Sequence, residues 1–240
     1  MTLKLNTFSI TARCQRTGEV GIAVATKFIA VGGLCSFAMK NVGAIASQAF
    51  INPYLGIWGL EHLAKGHSAQ ETLEFLKSKD EGIEFRQLGI IDSHGGSAAF
   101  TGEFSDVWHG HLTGPNYALA GNRLVGIETL EAMKESFESD DMLPLGQRLL
   151  LALSAGEAAG GDKSGHQSAA VKVYGASDFP VLDLRVDEHP DPVAELRRIY
   201  EIAEGVLMPL IDSLPIPNAE AGTFTFQRSA IGKDGVTRGY

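Results

Sequence analysis

Several groups of residues carry enough polar chemistry, closely enough spaced, to be candidate sites. Asp162-Lys163-Ser164-Gly165-His166-Gln167-Ser168 follows the glycine pair Gly160-Gly161. Polar side chains after paired glycines, at the entry to a strand, can bind a substrate carboxylate or build an oxyanion site. Read without function, the same loop is a solvated connection in which Asp162 and Ser168 cap backbone groups. It follows a helix rather than opening one, which is the wrong context for a phosphate loop. Asn122, after Gly121, can offer its amide to a substrate carbonyl or simply hold a turn. His109 and His111 fall on one face of a strand. Two imidazoles are not a metal site, and the spacing supplies no third ligand. The simpler reading is a polar strand face with Trp108 packed opposite. Asp187, His189 and Asp191 cluster before a helix. Asp191-Pro192 has the form of an N-cap followed by proline at the first helical position, whereas His189 with Asp187 would make an acid–base pair. The chain contains no Walker loop, no G-x-S-x-G elbow, no HExxH and no CxxC.

The elements that must position these residues are legible from periodicity. Residues 5–13 alternate polar and apolar types with β-branched content and predict a strand; Arg16-Thr17-Gly18-Glu19 is a turn, and residues 20–27 return as a second strand. Short strands are expected over 34–39 and 42–50. Asn52-Pro53 opens a helix carrying Leu55, Trp58, Leu60 and Leu63, which ends at Gly66. Ser68-Ala69-Gln70-Glu71 is a capping box for a helix to about Lys77. Strands follow over 85–92, 97–101 and 107–112. Gly121-Asn122 is read as a turn, with helices over 125–137 and 145–159 after it. Strands at 168–174 and 181–186 and a helix over 193–210 complete the pattern, and a strand is expected at 223–227. Runs of strands and runs of helices, rather than strict alternation, predict an α+β fold in which helices cover stacked, mainly antiparallel sheets.

Composition sets the broad class. The 240 residues are 44% hydrophobic, enough for one sizeable core, and carry 28 glycines spread along the chain, which suits many strand turns. Twenty Lys and Arg against 29 Asp and Glu leave a formal charge of −9, with no basic block to grip nucleic acid. Residues 20–39 are apolar enough to resemble a membrane span, but Lys27 in their midst would cost about 3 kcal/mol on insertion. Gly32-Gly33 and the β-branched content read instead as buried strands, so no membrane partner is expected. Cys14 and Cys35 cannot form a disulfide framework and fit a reducing compartment. Met1 to Asn6 lack the apolar core of a signal peptide. The expectation is a cytoplasmic protein with a leader at 1–6, one domain at 7–213 and an extended arm at 214–240.

One set of blocks carries a family resemblance. It begins with Thr7-Phe8-Ser9-Ile10, Gly21 to Lys27 and Ala30-Val31-Gly32, and continues through Gln48, Asn52-Pro53 and Gly59-Leu60. Trp108, His111, Thr113-Gly114 and Gly121-Asn122 belong to it, as do residues 156–163, 167–170, 183–187 and 189–192. In this order, over about residues 7 to 200, the chain resembles the uncharacterised family labelled domain of unknown function 1028. The resemblance implies a fold like that of the N-terminal nucleophile (Ntn) hydrolases, a four-layer αββα sandwich.

That superfamily works through a hydroxyl or thiol on the first residue of the mature chain. A threonine hydroxyl needs a base, and a free α-amine with a pKa near 7.7–8.0 can serve. The resemblance places Thr7 in that position, although a strand threonine is more often only a good strand former. Lys27, on the return strand, would then orient Thr7 or neutralise an oxyanion, and its apolar neighbours would desolvate it in part. Asn122, Asp162, Lys163, Gln167 and Ser168 would hold the substrate. Six residues precede Thr7, so a free amine there requires cleavage after Asn6. The expected activity is hydrolysis of a small amide or peptide, without cofactor or metal, with a homodimer or larger homo-oligomer as the expected assembly. The alternatives are a ligand-binding or assembly protein that keeps the fold, and non-hydrolytic chemistry using His111 or His189.

Overall fold

The computed structural model describes residues 7–103, 107–161 and 165–214. The leader, the arm from 215 with its expected strand at 223–227, and Asp162, Lys163 and Ser164 lie outside the described residues. Among the described residues the chain forms ten strands in two antiparallel sheets.

The larger sheet begins with the expected hairpin. β1 (Thr7–Arg13) pairs with β2 (Val20–Thr26) from Thr7 opposite Thr26 to Arg13 opposite Val20. β7 (His109–Gly114), β8 (Tyr117–Asn122), β9 (Ser168–Tyr174) and β10 (Leu182–Val186) complete it in the order β10-β9-β2-β1-β8-β7. The smaller sheet takes β3 (Ser36–Met39), β4 (Gly43–Ala49), β5 (Arg86–Asp92) and β6 (Ser97–Thr101) in simple succession.

Period-two alternation gives each sheet two buried faces. On β1, Phe8, Ile10 and Ala12 join a core shared with α3 (Glu128–Glu138), α4 (Leu145–Ala158) and α5 (Pro192–Gly205), including Leu130, Leu149, Leu153 and Leu196. On the smaller sheet, Ile45, Leu88 and Ile90 pack against Leu55, Leu60, Leu73 and Leu76 of α1 (Pro53–Leu63) and α2 (Ala69–Lys79). Each fully buried side chain of this size contributes about 1.5–3 kcal/mol. Helix α1 approaches its sheet closely because it carries Gly56 and Gly59 on that side. A β-carbon at Gly56 would sit 2.1 Å from the Phe37 ring, and one at Gly59 2.4 Å from Ile45 Cδ1.

Between the sheets the apolar cluster is small: Ile22, Val24, Val31, Cys35, Ala46 and Ala170. The other inner-face residues are short, including Ser9, Thr11, Ala118 and Ala120, all buried. Gly89 of β5 faces Thr11 and Ala118 across the gap. Short side chains let the sheets approach, so the layers run helix, sheet, sheet, helix, as an α+β sandwich.

Two boundaries differ from expectation for identifiable reasons. Gly121-Asn122 is not a turn but the end of β8, paired with β1 and β7. The small residues Ala118, Ala120 and Gly121 conceal the alternation there. The last helix breaks at Val206 and restarts as α6 (Leu207–Ser213). Pro209 lacks an N–H and is tolerated only in a first turn, which a new helix start provides. No helix among the described residues is long and apolar enough to cross a membrane.

Candidate functional site

Directly opposed residues of antiparallel strands project to the same face, so register alone assembles a site here. Ser168 lies opposite Thr26, Thr26 opposite Thr7, Thr7 opposite Asn122, and Asn122 opposite His109. These five residues form one transverse polar row across β9, β2, β1, β8 and β7. Their strand neighbours Phe8, Ala25 and Ala169 lie in the helix-side core, so the row faces the smaller sheet. That sheet answers with its own row, Gln48 opposite Gln87 and Gln87 opposite Thr101.

Hydrogen bonds join the two rows. Asn122 Nδ2 donates to Gln87 Oε1 at 2.9 Å, and Gln48 Nε2 donates to the same oxygen at 2.7 Å. Gln87 Nε2 in turn lies 2.9 Å from Thr101 Oγ1, 3.0 Å from Gly110 O and 2.9 Å from Gly121 O. Thr101 Oγ1 meets His111 Nδ1 at 2.9 Å. Cys35 closes the other end, its thiol 4.0 Å from Gln48 Oε1. Burial pushes this thiol up to about 12, against the opposing effect of the Ser47 backbone N–H. It therefore stays protonated and is no nucleophile.

Thr7 is 2% exposed, and its Oγ1 lies 2.8 Å from Thr26 Oγ1. Asn122, 4% exposed, holds its amide nitrogen on Gln87 but leaves Oδ1 buried without a partner. Asn122, His109, Gln87 and Thr101 line a cavity of about 20 Å³, the size of one water molecule. Lys27 follows the last residue of β2 and is exposed, not partly desolvated as expected. Its Nζ sits 3.5 Å from where a β-carbon would stand at Gly165, which puts the ammonium beside the polar loop.

The loop residues divide. Ser168 Oγ donates to Phe28 O at 2.5 Å and accepts from Val31 N at 3.1 Å, fastening the segment after β2. Gln167 extends the ladder through its backbone, with its N–H on Thr26 O and its carbonyl accepting from His189 N. Asp162 and Lys163 lie outside the described residues. His166 Nδ1 lies 2.8 Å from Glu157 Oε1, and its ring meets Phe8 edge-on at 5.4 Å.

The expected pairing of His189 with Asp187 does not form. Asp187 accepts from Arg185 Nε and Nη2, while His189 Nδ1 accepts from the Asp191 backbone N–H. Asp191 caps α5 through Ala194 N. Trp108 packs against the helix-side core, opposite His109 and His111. Among the described residues no group of three or more His, Cys, Asp or Glu could hold a metal ion. Sequence reasoning missed Thr26 and Gln87 as members of the site. Counting back from the hairpin turn sets Thr26 opposite Thr7, so that signal was present. Nothing local places Gln87 against Asn122.

Comparisons with known proteins agree with this architecture. The model of a family of unknown function (DUF1028) matches residues 7–196. The crystal structure of protein SPO2555 from Silicibacter pomeroyi, of the same family, is similar with a TM-score of 0.79 and 36% sequence identity, covering 88% of this chain and 95% of that one. No curated protein matches the sequence. With four fifths of its length under the family model, and the same layers in a relative at this identity, the chain belongs to the family of unknown function DUF1028.

Proposed function

We propose that the protein is an amidohydrolase of the N-terminal nucleophile type, acting on a small amide or peptide, with Thr7 as nucleophile after cleavage between Asn6 and Thr7. The observation that carries this reading is the position of Thr7. It opens a central strand, in the middle of a polar row, beside a carboxamide oxygen that has no partner.

Hydrolysis of the Asn6–Thr7 bond consumes one water and frees an α-amine on Thr7. That amine takes the proton of Oγ1 as the oxygen attacks the substrate carbonyl, forming a C–O bond. The tetrahedral intermediate collapses, the C–N bond breaks, and the proton passes to the leaving amine. A second water then hydrolyses the ester and restores Thr7. Asn122 Oδ1, on the residue opposite Thr7, would accept from the freed amine and orient it. Thr26 Oγ1 would keep the Thr7 side chain in its rotamer. Lys27 and the loop through Gly165 would supply positive charge for a substrate carboxylate. This route uses no cofactor.

A second reading, a ligand-binding protein that keeps these layers without the reaction, draws support from the exposed Lys27 ammonium beside the polar loop at Gly165. One set of experiments separates the two. Mass spectrometry of protein purified from its native host should find a chain beginning at Thr7. That species, assayed on a panel of amino-acid anilides, should turn over at least one, and Thr7→Ala should abolish turnover. An intact N-terminus together with hydrolysis unchanged in Thr7→Ala overturns the enzymatic reading. Stabilisation by a small molecule without any turnover establishes the second.

A further inference from the structure

The far end of β1 carries a second charged cluster. Arg13 closes the strand, about 20 Å along it from Thr7. A cavity of about 260 Å³ opens there between the β1–β2 turn, the β7–β8 turn, the end of α3 and the start of α4. Its walls include three guanidinium groups, Arg13, Arg16 and Arg148, and two carboxylates, Glu138 and Asp141.

These five opposite charges line one cavity, yet no ion pair joins any of them among the described residues. The three guanidinium groups and Glu138 are held by neutral groups instead. Arg148 is 7% exposed; its Nε and Nη2 donate to Phe137 O at 3.2 and 2.9 Å, and its guanidinium stacks 4.0 Å over the Phe137 ring. Burial works against this charge and lowers its pKa, while the Asp141 and Asp140 carboxylates nearby act the other way. Arg13 reaches Asn116 Oδ1 at 3.4 Å through Nη1, while its Nε is buried and unpartnered. Arg16 donates to Met142 O at 2.9 Å. Across the cavity Glu138 Oε1 accepts from Tyr117 Oη at 2.7 Å.

Among the described residues no carboxylate stands within ion-pair distance of Arg148, so an anion in the cavity would offset part of the cost of burying its charge. Guanidinium groups suit a carboxylate, which they can bind through two parallel N–H bonds. Carboxylates on the facing wall suit an ammonium. The volume lies just below the range of about 300–1,000 Å³ found for small-molecule sites, so the ligand is small. We propose that this cavity binds an amino-carboxylate, a free amino acid or a molecule of that chemistry. Its carboxylate lies between Arg13 and Arg148, and its ammonium faces Glu138 and Asp141. The site is separate from the Thr7 row and does not depend on the reading of that row.

Isothermal titration of the full chain with each standard L-amino acid tests the assignment, with propionate, propylamine and inorganic phosphate as controls. At least one amino acid binds saturably. Propionate and propylamine, each carrying half of the charge pattern, bind about tenfold or more weakly. Arg13→Gln keeps the fold by circular dichroism, because Arg13 makes a single long hydrogen bond, and weakens the amino acid about tenfold or more. Glu138→Gln also weakens the amino acid but leaves propionate unchanged, and Thr7→Ala binds as the unmodified chain does. Arg148→Lys, which keeps the charge and loses the fork, is the second test should Arg13→Gln misfold, and it too weakens binding. The assignment is overturned by saturable binding of no amino acid, by equal affinity in folded Arg13→Gln, by phosphate binding more tightly than every amino acid, or by loss of binding in Thr7→Ala.

Discussion

Gln87 holds the inner polar layer together at the scale of single atoms. Its carbonyl oxygen accepts from Gln48 and Asn122, and its amide nitrogen faces Thr101, Gly110 O and Gly121 O. An amide carries two hydrogens, so one of them is shared among these acceptors. Removing the group leaves two donors and two backbone carbonyls buried between the sheets without it. Gln87→Leu should therefore cost about 2–4 kcal/mol in urea unfolding, since each orphaned buried group costs about 1–3 kcal/mol and partial relaxation recovers some. Thr7→Val removes only one neutral hydrogen bond, to Thr26, at nearly constant shape. It should cost about 1 kcal/mol. A larger loss for Thr7→Val than for Gln87→Leu would show that the row, not the glutamine bridge, holds the two sheets in register.

At the scale of elements, one carboxylate ties a helix to a hairpin. Asp92 ends β5 and is 5% exposed. Its Oδ1 accepts from His94 N and Gly96 N in the β5–β6 turn, and its Oδ2 accepts from Ala69 N at the start of α2. The same helix end carries a reciprocal capping box: Ser68 Oγ accepts from Glu71 N, and Glu71 Oε2 accepts from Ser68 N. The carboxylate therefore serves two elements, while the serine serves one. Ser68→Ala should lower stability by about 1 kcal/mol. Asp92→Ala should lower it by about 2–3 kcal/mol, because it orphans donors in both elements. Thermal unfolding of the two variants orders them. Equal losses would mean that the helix cap alone matters and the link to the hairpin contributes nothing.

At the scale of the whole molecule, acid sensitivity follows from a carboxylate buried where α1, the turn before β5 and β5 itself meet. Asp80 has a side chain 8% exposed and accepts from Arg86 Nε, Asn52 Nδ2 and Gly82 N, each at 2.8 Å. Burial by itself pushes this carboxyl up, but the bonds from Arg86, Asn52 and Gly82 outweigh it and hold the pKa below the usual value. A depressed folded pKa means that the stabilisation is complete above the unfolded value of about 3.9 and is lost as pH falls through the folded one. Asp80→Asn should be less stable than the unmodified chain at neutral pH, with the gap narrowing below about pH 4. Urea unfolding across that range measures the gap. A difference that stays constant with pH would mean that the charge of Asp80 is immaterial to the fold.

Local chemistry along the chain determined a good part of this. The Asn52-Pro53 start of α1 and the capping box of α2 rest on contacts within a few residues, the first hairpin on one turn, and the strand Ser168–Tyr174 on its residue types; all are where those residues put them. Residue types and alternation also marked most of the strands. They could not tell which strand lies beside which. Thr7, Thr26, Asn122, His109 and Ser168 share a row because β2 separates β9 from β1, and β8 separates β1 from β7. That order depends on how α3, α4 and α5 cover one face of the sheet, and on inner-face residues small enough for the second sheet to close over the other. Gln87 escapes a local reading for this reason, whereas at Asn122 the small residues before it hide the strand. A period-two pattern is a property of one strand, whereas a site across five strands and two sheets is set by register and layer packing, which only the tertiary structure decides.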